Sequence, residues 1–263
     1  MLAGAMSSDE TGAAAAPSAT LDVRARAASA TWYHTLELAP GLVTPGMFDH
    51  RPYVDRYGLP ADLSGKRALD VGAQDGFFAF ELERRGAEVV ALDLDRPEQL
   101  DWPRHLRQSG TSREGGGFPL ADDSAFSIAL AALGSSVERV PLSVYDATPE
   151  RLGRFDLVFA GSMHVHLRDP VLALERMADV CAGRLVLADA ISRRLDWLPR
   201  LKLAEFTGES PWMTWWMPTS RTLAAMVRCA GFRDVTVHAR FKLPFRGRPG
   251  GVPHAVVHGT GPT

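Results

Sequence analysis

Four residues in the first half of the chain, Asp70, Gly72, Gly76 and Asp93, have the types and spacing to receive an adenosine-bearing ligand. Glycine at 72 and 76 lets the backbone turn tightly and approach a ligand with no Cβ in the way. Asp93 follows about twenty residues later at the end of the next apolar run, where a carboxylate accepts from both hydroxyls of a ribose. A dinucleotide site would need Gly-x-Gly-x-x-Gly, but Ala73 and Gln74 stand where the middle glycine belongs. Asp70, just before the turn, would also repel a pyrophosphate, whereas it suits an ammonium group.

A second set lies in Gly161-Ser162-Met163-His164-Val165-His166, after another apolar run. Group transfer to a weakly acidic hydroxyl benefits from a base, and histidine is the natural one near neutral pH. His164 and His166 alternate, so on extended chain they share one side; with Asp189 they are also a candidate divalent-ion set, Mg for example. Tyr33 and His34, ahead of the first strand, are candidates to close over the site. Trp215 and Trp216 are candidates for an aromatic wall against an apolar acceptor or a sugar face, with Arg193 or Arg221 available for an anionic substituent.

The elements that must position these groups follow from periodicity. Residues 68–71 read as a buried strand, 77–85 as a helix closed by Gly86, and 88–93 as a second strand ending at Asp93. Residues 108–117 read as a loop and 118–133 as a helical insertion of the kind that makes a lid. Strands are expected at 137–144, 155–161, 184–189, 233–240 and 253–258. Helices are expected from Asp169-Pro170 to Cys181, with Asp169 as cap, and over 219–229. The fold class is therefore α/β: a Rossmann-like, doubly wound, mostly parallel seven-stranded sheet with helical insertions forming a lid. Residues 1–30, rich in Ala, Ser, Thr and Gly, read as a disordered tail, and 31–263 as one domain.

Composition narrows the function classes. With 29 Lys and Arg against 31 Asp and Glu, the net charge of -2 gives no general polyanion signal, and nucleic acid is an unlikely partner. The two cysteines, Cys181 and Cys229, sit far from any partner at metal spacing and read as buried thiols of a reducing compartment. With no long apolar run and no signal peptide, the expected setting is cytoplasmic, away from membranes; a homo-oligomer is compatible.

Several motifs in order resemble a known family: Trp32-Tyr33-His34, Leu69-Asp70-Val71-Gly72, Asp75-Gly76-Phe77, Val144-Tyr145-Asp146, His166-Leu167-Arg168-Asp169-Pro170 and Trp215-Trp216-Met217-Pro218-Thr219. The set is similar to class I S-adenosylmethionine (SAM) methyltransferases of the type that includes the tRNA wobble-uridine carboxymethyltransferase, over roughly residues 30–240. The resemblance implies SAM as cofactor. It places Asp70, Gly72 and Gly76 around the methionine portion, Asp93 on the ribose, and Tyr145 with Asp146 at the adenine, with Gln74, Leu94 and Gly161 on the same rim. Read alone, Asp146 is equally a cap on the turn that follows. The chain shows no long domain ahead of Trp32, no basic excess and no arginine matched to a carboxylated donor. The expected activity is therefore methyl transfer from ordinary SAM to a hydroxyl of a saccharide or other small molecule, methylmannose polysaccharides included, with His166 or His164 as base. The alternatives are a tRNA-modifying transferase and a non-catalytic SAM-binding accessory protein.

Overall fold

The structure, a computed structural model, describes residues 17–108, 123–198, 200–210 and 212–262. In chain order it runs through helix α1 (Pro17–Ser29), a hairpin of β1 (Glu37–Ala39) and β2 (Leu42–Val43), then β3 (Arg67–Val71), α2 (Phe77–Arg84) and β4 (Glu88–Asp93). It continues with α3 (Arg104–Gln108), α4 (Asp123–Leu133), β5 (Glu138–Pro141), α5 (Pro149–Leu152), β6 (Phe155–Gly161), α6 (Pro170–Val180) and β7 (Cys181–Ala190). After α7 (Arg193–Asp196) and the small pair β8 (Ala204–Phe206) and β9 (Trp216–Pro218) come α8 (Ser220–Cys229), β10 (Arg233–Pro244) and β11 (Gly251–Thr260).

The seven-stranded sheet has the order β10-β11-β7-β6-β3-β4-β5. β7, β6, β3, β4 and β5 run parallel, and β11 is antiparallel to both of its neighbours. The chain winds outward from β3 to β5 and then returns to place β6 on the other side of β3. The order therefore reverses between β3 and β6, and a crevice opens at their carboxyl ends. Period-two alternation divides the apolar side chains between two cores: Leu157 and Phe159 of β6 face α2 and α4, whereas Val158 and Ala160 face α6 and α8.

Several boundaries match the periodicity closely. Asp169 caps α6 by accepting from the Leu172 amide at 3.0 Å. Other expectations change. β5 stops at Pro141, which has no N–H for the ladder; Ser143 then accepts from the Tyr145 amide and starts a short 3-10 turn, Val144–Asp146. Residues 17–29 of the expected tail are helical. Ala27 is buried, its carbonyl accepts from the Trp32 indole at 2.8 Å, and residues 1–16 lie outside the described residues. Of the expected lid, α4 packs beneath the sheet with Phe126 against Phe80, while residues 109–122 lie outside the described residues. Cys181 is buried as expected, but Cys229, the last residue of α8, is exposed. Among the described residues no helix is long and apolar enough to cross a membrane.

Candidate active site

The crevice between β3 and β6 holds one cavity that gathers most of the expected residues. Gly72, Gln74, Asp93, Leu94, Tyr145, Gly161, Tyr33, His34 and His166 all line it. Asp93 organises the turn after β3: its carboxylate accepts from the Gln74 amide at 2.6 Å and from the Leu94 amide at 2.7 Å. Each carboxylate oxygen offers further lone pairs, which suits a ribose diol. Gln74 holds a left-handed φ of 53°, and its Oε1 is buried with no partner, an acceptor placed for a ligand's N–H or O–H groups. Among the described residues lining this cavity there is no Arg or Lys. A cationic, adenosine-bearing group fits this donor and acceptor set; a pyrophosphate does not.

Several expected residues lie elsewhere. Asp70 sits under α2 beside the Ala79 backbone, not in the cavity. Burial, and next the charge of Asp93, push its carboxyl up to about 8. Gly76 starts α2 with φ 89°; a Cβ there would come within 2.5 Å of the Phe80 ring, so it serves helix packing. Asp146 is exposed at the end of its 3-10 turn, and Tyr145 alone of that pair reaches the cavity. His164 is 1% exposed and packs against the Pro170 backbone, with no other hydrogen-bond partner for its ring nitrogens among the described residues. It lines neither this cavity nor the chamber that adjoins it, because residues 164–166 form a 3-10 turn and not the extended chain that would put both histidines on one side.

The expected tryptophans, Trp215 and Trp216, line neither this cavity nor the chamber beside it. The Trp215 indole donates to the Asp101 carbonyl at 2.6 Å and that of Trp216 to the Arg168 carbonyl, so both brace loops; Trp212 faces the ligand side instead. Arg193 lines a separate groove, and Arg221 belongs to the ion pairs of Asp196. Asp189 spends its carboxylate on the backbone amides of His164 and Ala190, and among the described residues no three His, Cys, Asp or Glu side chains are grouped to hold a metal.

Four residues not singled out in the sequence complete the site. Asp75, inside the glycine turn and fully buried, accepts from the Tyr33 and His34 amides, both at 2.8 Å, and pairs through its other oxygen with His34 Nδ1. It pins the segment before the sheet across the cavity. That segment lies so close to its own return that a Cβ at Gly46 would overlap the His34 carbonyl. Asp101 ties the loop after β4 to the opposite rim, accepting from the Tyr145 hydroxyl at 2.5 Å and the Arg168 amide at 2.8 Å. Ser162 and His254 stand 3.0 Å apart between β6 and β11. The signal for Asp75 was its place within the turn; Ser162 and His254 are 92 positions apart and had none.

A second chamber adjoins the first, and Tyr33, Ser162 and His166 line both. Its walls are apolar and aromatic, with Phe48, Phe245, Trp212 and Met217, and its polar groups include Asp189 and His254. Burial raises Asp189 to about 7 and lowers His254 to about 4; it lowers His166 as well, whose Nδ1 lies 3.0 Å from the Met213 carbonyl. Again no Arg or Lys is among its described lining residues. Gln74, Ser162 and Met213 are three of the four described non-glycine residues with left-handed φ, and all three line these cavities. Such strain collects where a site over-determines the backbone.

Residues 50–237 match the family model described as a methyltransferase domain. The chain belongs to the methyltransferase-domain family. Its sheet order and crevice are those of the class I SAM-dependent methyltransferase fold. A tRNA U34 carboxymethyltransferase of Pseudomonas paraeruginosa is 28% identical over 179 residues, covering 66% of this chain and 47% of its own length. The chain thus spans about half the length of these curated relatives. Among solved structures, the N-terminal domain of EvdMO1 with SAH bound aligns with TM-score 0.62 at 20% identity, covering 92% of this chain and 97% of that one. The same domain in the presence of SAH and D-fucose gives 0.57 at 21% over the same shares. An O-methyltransferase family protein from Burkholderia thailandensis gives 0.52 at 18%, covering 81% of this chain and 56% of that one. At these identities the structural likeness concerns the fold.

Proposed function

We propose that this protein is a SAM-dependent O-methyltransferase acting on a hydroxyl of a small, neutral, ring-like acceptor, saccharides foremost. The observation that carries the reading is the pair of adjoining cavities. One is acidic, with Asp93 and the open Gln74 Oε1; the other is aromatic and uncharged by any described Arg or Lys; Tyr33, Ser162 and His166 form their common wall.

SAM supplies a methyl group on a sulfonium. The chain's own residues do the rest: Asp93, Gln74, Leu94 and Tyr145 hold and orient the donor, Tyr33 and His34 roof it, and Trp212 and Phe48 exclude water around the acceptor. The hydroxyl's proton goes to a histidine on the chamber, and His166 and His254 are the two that face it. A carboxylated donor would need a cation beside its extra carboxylate, and the described lining offers none, which favours ordinary SAM. The same shortage of basic groups weighs against tRNA despite the carboxymethyltransferase relatives. The EvdMO1 domain studied with D-fucose supports a sugar acceptor by fold analogy only. A cytoplasmic setting belongs to the same proposal.

The decisive experiment incubates the full chain with SAM and a panel of monosaccharides, oligosaccharides, small phenols and bulk tRNA, reading product mass and methylated atom. An O-methylated neutral product is expected. Methylation or carboxymethylation of tRNA alone, or transfer only to nitrogen or sulfur, would overturn the reading.

A further inference from the structure

The two histidines on the chamber are not equivalent. His254 lies 2.9 Å, through Nδ1, from the Val252 carbonyl, and 3.0 Å, through Nε2, from Ser162 Oγ. A carbonyl only accepts, so Nδ1 carries the ring proton. Burial keeps the ring neutral at pH 7, so Nε2 presents a lone pair. Ser162 must therefore donate its proton to Nε2, and its oxygen lone pairs are left to receive donors. The Tyr33 hydroxyl lies within hydrogen-bonding reach of Ser162.

Ser162 also occupies the right place. It follows β6 at the junction of the two cavities and is held at φ 54°, a left-handed conformation that serine rarely adopts. On its other side His254, itself 3% exposed, lines a groove with Trp197. His166 instead lies on the donor cavity itself, where an imidazolium would face the sulfonium while that still carries charge.

We propose that the Ser162–His254 pair is the proton outlet of the transfer, with Ser162 the catalytic contact and His254 acting through it. This assignment rests on the oxygen-acceptor reading above. The acceptor hydroxyl donates to Ser162 Oγ. As its oxygen bonds to the methyl carbon, its proton moves to Ser162 and the proton of Ser162 moves to His254 Nε2, while the electron pair of the broken C–S bond stays on sulfur. The positive charge lost from the donor reappears as an imidazolium, whose Nδ1–H remains on the Val252 carbonyl and whose Nε2 proton returns through Ser162 to water once the methylated product has left the chamber. His166 keeps a neutral ring and positions the acceptor.

The groups facing His254 set the pH dependence. Tyr33, His166 and Asp189 share the chamber with it, and the charge of His254 is felt by His50. Arg193, Asp196, Arg240 and Lys242 line the groove.

The test uses the full chain, SAM and an acceptor hydroxyl it methylates. His254→Gln keeps an oxygen to accept from Ser162 but cannot take the proton. It is expected to lower kcat by about 10²-fold or more, to leave the Kd for S-adenosylhomocysteine unchanged, and to abolish the acidic limb of the kcat–pH profile. Ser162→Ala should do the same, and the double variant should be no worse than either single one. Independently of any acceptor, nitrogen NMR of the wild type should show His254 as the Nδ1–H tautomer. The assignment fails if His254→Gln keeps kcat within about threefold. It fails equally if His166→Gln is what removes the acidic limb, or if the tautomer is Nε2–H. A wild type that methylates only nitrogen or sulfur removes the oxygen-acceptor reading, and the tautomer measurement tells that failure apart from this one.

Discussion

Asp75 is the residue whose removal should do most to the donor site without touching the donor. Its buried carboxylate receives two backbone amides at 2.8 Å and the His34 ring. Asp75→Ala strips a buried partner from all three. At about 1–3 kcal/mol for each buried donor left unsatisfied, the cost is about 3–9 kcal/mol if the segment stays in place. A domain is stable by only about 5–15 kcal/mol, so the segment carrying Tyr33 and His34 should instead swing off and expose its backbone to water. The expected result is a loss of about 3 kcal/mol in urea denaturation and at least about a tenfold weaker Kd for S-adenosylhomocysteine by calorimetry, a tenfold change being 1.4 kcal/mol. Asp75→Asn keeps an oxygen for the amides and should lose about 1–3 kcal/mol. An Asp75→Ala protein with wild-type stability and wild-type donor affinity would refute the idea that this carboxylate holds the roof.

Asp93→Ala should weaken donor binding by about 10- to 100-fold, the worth of one hydrogen bond to a charged group, and calorimetry with S-adenosylhomocysteine checks it. Trp212→Ala should raise the acceptor KM and spare donor affinity, whereas Trp215→Ala, which unties the Asp101 loop, should weaken the donor; the opposite pattern would restore Trp215 as an acceptor wall. Stability should peak near pH 6.5. Asp70 and Asp189, raised to about 8 and about 7 from an unfolded value near 3.9, keep protons that the unfolded chain has released, so they cost stability as pH rises from about 4 to 8. His164, His254 and His258, lowered to about 4, cost stability as pH falls from about 6.5 to 4, and three histidines outweigh two carboxyls there. Melting curves between pH 4.5 and 8.5 test this: Asp70→Asn should flatten the alkaline decline, and a variant curve parallel to the wild type would count against it.

The donor side was legible in the sequence because it is local. Strand, glycine turn, helix and second strand occupy residues 67–93, and short-range geometry alone puts Gly72, Gln74 and Asp93 at one rim. Buried parallel strands announce themselves as apolar runs, which is why β4 and β6 begin and end where periodicity placed them. Extrapolating direction from chemistry misled at Asp70, Asp146 and His164. A carboxylate or imidazole has the same identity whether it faces a ligand, solvent or a helix, and only the pleat, the 3-10 turn and the neighbouring layer decide which. The chamber proposed for the acceptor was set by tertiary structure. Tyr33, Ser162, Trp212 and His254 come from four separate segments and meet only because β11 inserts antiparallel beside β7, two strands from β3, and because Asp75 draws the preceding segment over the crevice. Sequence determined that a SAM-type pocket forms; strand order and one buried carboxylate decided what stands across from it, since contacts between distant segments leave no periodic trace in either.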